Sequence, residues 1–115
     1  MLKAIVIVRA SRAEALCLRL LAVPWVEALS VREARGYGRQ KEWLAHYLGE
    51  QAGDIEFLPR AVVECAIPRS EREAFVQLVL AACRSGRIGD GKLLFVPILQ
   101  TLDIDTEGGA RLRGP

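Results

Sequence analysis

Residues 2–8 read LKAIVIV, and the chain runs from them almost directly into Ser11-Arg12-Ala13-Glu14. The first stretch is short, β-branched and nearly continuous in apolar character, which suits a buried strand. The second is a capping box: the serine oxygen accepts from the backbone N–H near Glu14, and Glu14 reaches back. Leu16, Cys17, Leu20 and Leu21 follow at helical spacing, and Pro24 ends the helix. The same strand-then-helix succession returns downstream. Phe57-Leu58-Pro59 leads into a strand from Arg60 to Ile67, and Ser70-Glu71-Arg72-Glu73 forms a second capping box. Phe75, Leu78, Val79 and Ala82 then give an amphipathic helix that stops at Ser85-Gly86.

Two further strands complete the pattern. Trp25 to Arg35 places Leu29, Val31 and Ala34 on a packing side, with Ser30, Arg32, Glu33 and Arg35 facing water or a neighbour, and Gly36-Tyr37-Gly38 breaks it. Lys92 to about Leu99 is again continuously apolar. The order is β-α-β, a long connection, β-α-β, the split arrangement of an α+β, ferredoxin-like sandwich. One antiparallel sheet then carries two helices on one face. Its first and last strands are apolar on both sides, so the second face also needs cover. Two helices cannot supply it, whereas packing the open faces of several copies together does. The pattern therefore predicts an oligomer.

The chain of 115 residues is expected to form a single domain over 1–115, long enough for a true core. Its net charge of +2 is too small to argue for nucleic acid or an anionic membrane. No apolar run approaches a membrane span and no leader is visible, so a cytoplasmic protein is expected. Cys17, Cys65 and Cys83 are scattered and odd in number, which speaks against a disulfide scaffold or a zinc site. They read as reduced core residues, with thiol chemistry as the alternative.

Two segments carry candidate chemistry. Ser85-Gly86-Arg87-Ile88-Gly89-Asp90-Gly91-Lys92 lies between a helix and a strand. Its glycines would let backbone N–H groups converge on a phosphate, and Lys92 would add a point charge. The spacing is not that of a Walker loop. The plain alternative is a helix C-cap glycine followed by a type I′ Asp-Gly turn. The second segment is Arg35-Gly36-Tyr37-Gly38-Arg39-Gln40-Lys41, at the mouth of the long connection; its plain alternative is a solvated basic loop. From Arg39 to about Glu56 no period of either kind is clear, and long loops in compact domains are usually functional or disordered. His46 in that loop reads as a surface or packing histidine, with a metal ligand or pH switch as the minority alternative. Trp43 and Leu44 suit intersubunit packing or a docking surface.

Taken together, GYGRQK at 36–41, FLP at 57–59 and SGRIGDGK at 85–92 resemble the PII signal-transduction family, whose pattern is close to GFGRQK, FLPK and TGRIGDGK. The resemblance spans nearly the whole chain. It implies a homotrimer of ferredoxin-like subunits with three clefts between them. Each cleft is built from a T-loop (about 37–56), a B-loop (about 85–92) and the C-terminal segment (about 100–115). It implies a sensor of adenine nucleotide (AMP, ADP or ATP), often with 2-oxoglutarate, that docks a target protein, a transporter or an enzyme, through the T-loop and is not itself a catalyst. The nucleotide-binding positions carried over are Ser30, Gly36, Gly38, Arg39, Gln40, Glu64, Arg87, Gly89, Asp90, Gly91 and Lys92. Gln40, Lys41 and Arg60 border the place of a small anion or effector. No metal site, nucleic-acid contact, membrane insertion or tightly bound cofactor is implied.

The chain also departs from that pattern. The family follows its last strand with two arginines that grip the polyphosphate; here the stretch reads Leu102-Asp103-Ile104-Asp105-Thr106. Two carboxylates repel a triphosphate, so AMP or ADP is favoured over ATP, unless Arg111 and Arg113 swing in from the tail or the aspartates pair with Arg or Lys of another subunit or hold a cation bridging to phosphate. The loop tip, Gly49 to Asp54, lacks the tyrosine that some members uridylylate, and Tyr47 matches a different one. Arg60 replaces the FLPK lysine, and Glu42 puts a negative charge where the family has glycine. Both changes weaken a 2-oxoglutarate site and leave room for a smaller anion such as bicarbonate. The tail from Glu107 to Pro115 is expected to be mobile.

Overall fold

A computed structural model describes residues 1–36, 58–87, 89–105 and 112–113, without the side chains of Arg35, Leu58, Leu112 and Arg113. The T-loop positions Gly38, Arg39, Gln40 and Lys41, the loop residues Glu42, Trp43, His46 and Tyr47, and the tail residue Arg111 lie outside the described residues. The elements are β1 (Leu2–Arg9), α1 (Ala10–Leu21), β2 (Glu27–Gly36), β3 (Leu58–Ile67), a 3₁₀ turn (Arg69–Glu71), α2 (Arg72–Cys83), β4 (Gly91–Pro97), β5 (Thr101–Leu102) and β6 (Leu112–Arg113).

β1 to β4 form one antiparallel sheet in the order β2-β3-β1-β4. Two β-α-β units interleaved about a central pair give that order, so the α+β, ferredoxin-like expectation holds at the level of the chain. Along β1, Leu2, Ala4, Val6 and Val8 are buried while the residues between them are not, the period of two that one covered face produces. Their partners on β3, Ile67, Cys65, Val63 and Ala61, are buried with them. Leu16 and Leu20 of α1 and Phe75, Val79, Ala82 and Cys83 of α2 close the core over this face. Phe75 meets Phe95 of β4 edge to face, with ring centroids 5.9 Å apart.

Both helix starts differ from the capping boxes expected of them. α1 begins at Ala10 directly after β1, its N-cap is Arg9, and no side chain caps it. Ser11 therefore sits inside the first turn, too late to serve the free N–H groups. At the second site the 3₁₀ turn at Arg69–Glu71 takes up the serine, and Glu73 pairs with its neighbour Arg72 at 3.1 Å in place of reaching back. Helix phase here is set by which residues meet the core, and no side chain caps either start. α1 ends three residues before Pro24, through successive turns closed by Val23 N–H to Leu20 O (3.1 Å) and Val26 N–H to Val23 O (3.3 Å).

β2 lies at a sheet edge, and its register to β3 jumps between Glu27 and Ser30. Ala28 in that bulge has φ 53°, a left-handed conformation seldom taken by a residue with a Cβ. Val31, expected to pack, is 54% exposed because it stands beyond the cover of the helices. At the far end of the hairpin Gly36 pairs with Leu58, so the connection 37–57 leaves and rejoins the sheet at facing backbone positions. The tail is not wholly free of structure: Leu112 and Arg113 pair with Leu102 and Thr101 as a separate two-stranded ribbon.

The face of the sheet away from the helices is mixed. Leu94 and Val96 are 40% and 43% exposed on it, and Ile5 and Ile7 are half-buried. In their midst Glu64 meets Lys3 at 3.4 Å and Arg32 at 4.0 Å.

Candidate functional site: the glycine loop and the arginines beside it

The loop between α2 and β4 is organised by its own aspartate. After the helix closes with Arg84 N–H donating to Leu80 O at 3.0 Å, the Asp90 carboxylate accepts from the backbone N–H groups of Ser85 (2.7 Å) and Gly86 (2.9 Å). The Ser85 hydroxyl donates to the same carboxylate, and its oxygen accepts from Arg87 N–H at 3.3 Å. Gly86 and Gly89 take φ of 86° and 96°, which lets the chain fold back over the carboxylate. Asp90 itself keeps a negative φ, so the Asp-Gly dipeptide does not make a type I′ turn. These donors, led by the Ser85 hydroxyl, hold the Asp90 carboxyl down at about 2.

This alters how the loop can treat an anion. The N–H groups of Ser85 and Gly86 are already turned onto a carboxylate, so an incoming phosphate meets the later part of the loop and the cations around it. Gly91 fixes where that later part lies. Its φ is 133°, and a Cβ added there would stand 1.9 Å from the Ile7 carbonyl oxygen, so the loop hugs the β1 backbone.

Two arginines approach the loop from the sheet. Arg9 and Arg60 face each other in the β1–β3 register, at the end of the sheet nearest the loop. Arg60 is 5% exposed, and its guanidinium donates to Gly89 O at 2.6 Å. Arg9 brings Nε to 3.7 Å from Asp90. Burial, then the charge of Arg9, lowers the proton affinity of Arg60, while Asp90 opposes the change. Lys92 pairs in register with Ile7 on the same outer face and is exposed. A cleft of about 260 Å³ lined by Ala10, Glu33, Ala34, Pro59 and Arg60 opens beside them.

The sequence-derived positions therefore fall into groups. Gly89, Asp90, Gly91, Lys92 and Arg60 come together at one end of the outer sheet face, and exposed Arg87 belongs to the same loop. Ser30 and Glu64 face each other in the β2–β3 register nearer the middle of that face, and Gly36 ends β2. Glu64 is engaged by Lys3 and Arg32. Asp103 and Asp105 follow β5, and among the described residues neither makes an ion pair. Arg9 escaped the sequence reading. It follows an apolar strand as an ordinary flanking cation, and only the strand register reveals that it stands opposite Arg60. Among the described residues no group of three metal-ligating side chains forms. The thiols are all unpaired, with burial raising each and Cys65 reaching about 11.

The chain is 38% identical over 81 residues to a nitrogen regulatory protein P-II from Cereibacter sphaeroides, covering 70% of this chain and 71% of that one. It is 36% identical to the P-II protein of Nostoc punctiforme over the same shares. The chain belongs to the nitrogen regulatory protein P-II family. A Synechocystis member, 32% identical over 87 residues, extends the match to 77% of that protein's length. No protein-family model matches the chain. In this P-II family member the glycine loop is folded around Asp90. Among the described residues no helix is long and apolar enough to cross a membrane.

Proposed function

We propose that this P-II family member is a regulatory signalling protein of nitrogen or inorganic-carbon metabolism. It binds an adenine nucleotide in a cleft between subunits of a homotrimer and controls a partner, a transporter or enzyme, through residues 37–56. The observation that carries the reading is the glycine loop held against β1, with Arg9, Arg60 and Lys92 gathered at its edge. Backbone at close approach and convergent cations suit phosphate groups. Ser30 and Glu64, polar and mutually opposed on the same outer face, suit the base. The partly exposed Leu94 and Val96 suit burial by neighbouring copies.

Asp103 and Asp105 shift the preference from ATP toward AMP or ADP, since they add negative charge where a third phosphate would need cations. A small anion, bicarbonate before 2-oxoglutarate, suits the cleft at Arg60. Isothermal titration with AMP, ADP and ATP tests the reading: AMP or ADP should bind more tightly than ATP. Lys92→Ala should weaken whichever binds by about tenfold, the scale of one charge-assisted hydrogen bond. Absence of heat with all three nucleotides would sink the proposal. The same two aspartates favour one alternative, a trimeric scaffold or assembly protein that has lost nucleotide sensing. Titration silence together with a trimeric mass is its expected signature.

A further inference from the structure

We infer that Arg60 and Asp90 are positioning residues that shape the glycine loop before any ligand arrives, so that the start of β3 sets the loop's competence. The inference deepens the nucleotide reading and rests on it for its binding arm alone.

Two independent contacts, at consecutive loop residues, carry it. Arg60 holds the loop by the Gly89 carbonyl at 2.6 Å, across 29 positions of sequence, and does so from a site only 5% exposed. At the next residue, the Asp90 carboxylate gathers Ser85 and Gly86 and lies 3.7 Å from Arg9, the register partner of Arg60. The guanidinium of Arg60 is planar and rigid, so a bond to one backbone carbonyl also fixes the direction in which that peptide points. The N–H of Asp90 belongs to the peptide unit whose carbonyl is Gly89 O, so Arg60 orients the residue on which the rest of the loop converges. Arg60 is also the third residue of β3, two positions after the chain rejoins the sheet at Leu58. A displacement there is passed to Gly89 through one partly buried bond. The chain thus has a physical route from the end of the 37–57 connection to the loop, with no ligand in between.

Amide exchange read by NMR on the nucleotide-free protein tests this, with ADP titration on the same samples. Asp90→Asn should raise exchange at Ser85 and Gly86 at least tenfold, because a neutral amide is a weaker acceptor than a carboxylate. Arg60→Met should raise exchange at the same two amides, and Arg60→Lys should restore part of the protection. Lys92→Ala should leave both amides as in the wild type while weakening ADP. Wild-type protection at Ser85 and Gly86 in Arg60→Met, or in Asp90→Asn, overturns the inference. If Arg60→Met does not fold, the Arg60→Lys and Asp90→Asn spectra decide, and unchanged exchange in either overturns it. If wild-type protein binds none of AMP, ADP and ATP, the nucleotide reading fails, and the exchange data still settle the positioning roles.

Discussion

Gly91 and Ala28 both hold positive φ, and a methyl group has opposite consequences at the two. At Gly91 the new Cβ would meet the Ile7 carbonyl, a backbone atom fixed by β1–β4 pairing, so no side chain can move aside. Gly91→Ala should cost about 3 kcal/mol in urea unfolding, the upper range for overpacking. At Ala28 the methyl is already present in a left-handed bulge. Removing it relieves about 1–2 kcal/mol of backbone strain and gives back part of that as chain entropy. Ala28→Gly should therefore stabilise by roughly 0.5–1 kcal/mol in the same measurement. Asp90 supplies a pH signature. Its carboxyl titrates lower in the fold, at about 2, than the ordinary carboxylate at 3.8, so the unfolded chain binds the proton more readily. The contribution of Asp90 is fully present above pH ~4 and is lost as pH falls toward ~2. Acid titration of the wild type against Asp90→Asn should show the two stability curves converging over that window and parallel above it. Asp90 was visible in the sequence, but its role was not. A carboxylate that reaches back to N–H groups four and five residues earlier leaves no periodic trace, and an Asp-Gly pair suggests a turn first.

At the scale of elements, apolar periodicity proved a better guide than capping patterns. The runs at 2–8 and 60–67 and the spacing Phe75, Val79, Ala82 placed β1, β3 and α2 within a residue or two, because each reports a face buried in the core. Ser11 and Ser70 misled because a cap is worth about 1 kcal/mol, which a well-filled core outweighs when it shifts the helix by a turn fraction. Strand register, and with it the meeting of Arg9 and Arg60, depends on contacts between residues some fifty positions apart, to which a local pattern is blind. Phe75 joins the two halves of the sandwich: it is fully buried and meets Phe95 across the core. Phe75→Ala should cost about 3–5 kcal/mol in denaturant unfolding, whereas Phe75→Leu, which refills most of the space, should cost well under half of that.

At the scale of the molecule, the outer sheet face decides between a lone subunit and an assembly. It combines exposed Leu94 and Val96 with the ionic group of Lys3, Glu64 and Arg32, a mixture that a purely solvated face would not need. Replacing Leu94 and Val96 together by aspartate should bring the sedimentation mass to that of one 12.7 kDa chain while circular dichroism stays native. A wild-type protein that already sediments as one chain counts against the trimer. The hairpin end at Gly36 and Leu58 has a different consequence. Its two strands are held to each other by the sheet whatever sequence joins them. The entropy of closing a longer joint grows slowly, about 0.6 kcal/mol for each doubling. The segment between them is therefore a cassette. It can be lengthened, recoded or exchanged for that of a relative with little effect on folding, so its sequence is free to change on a domain that stays the same.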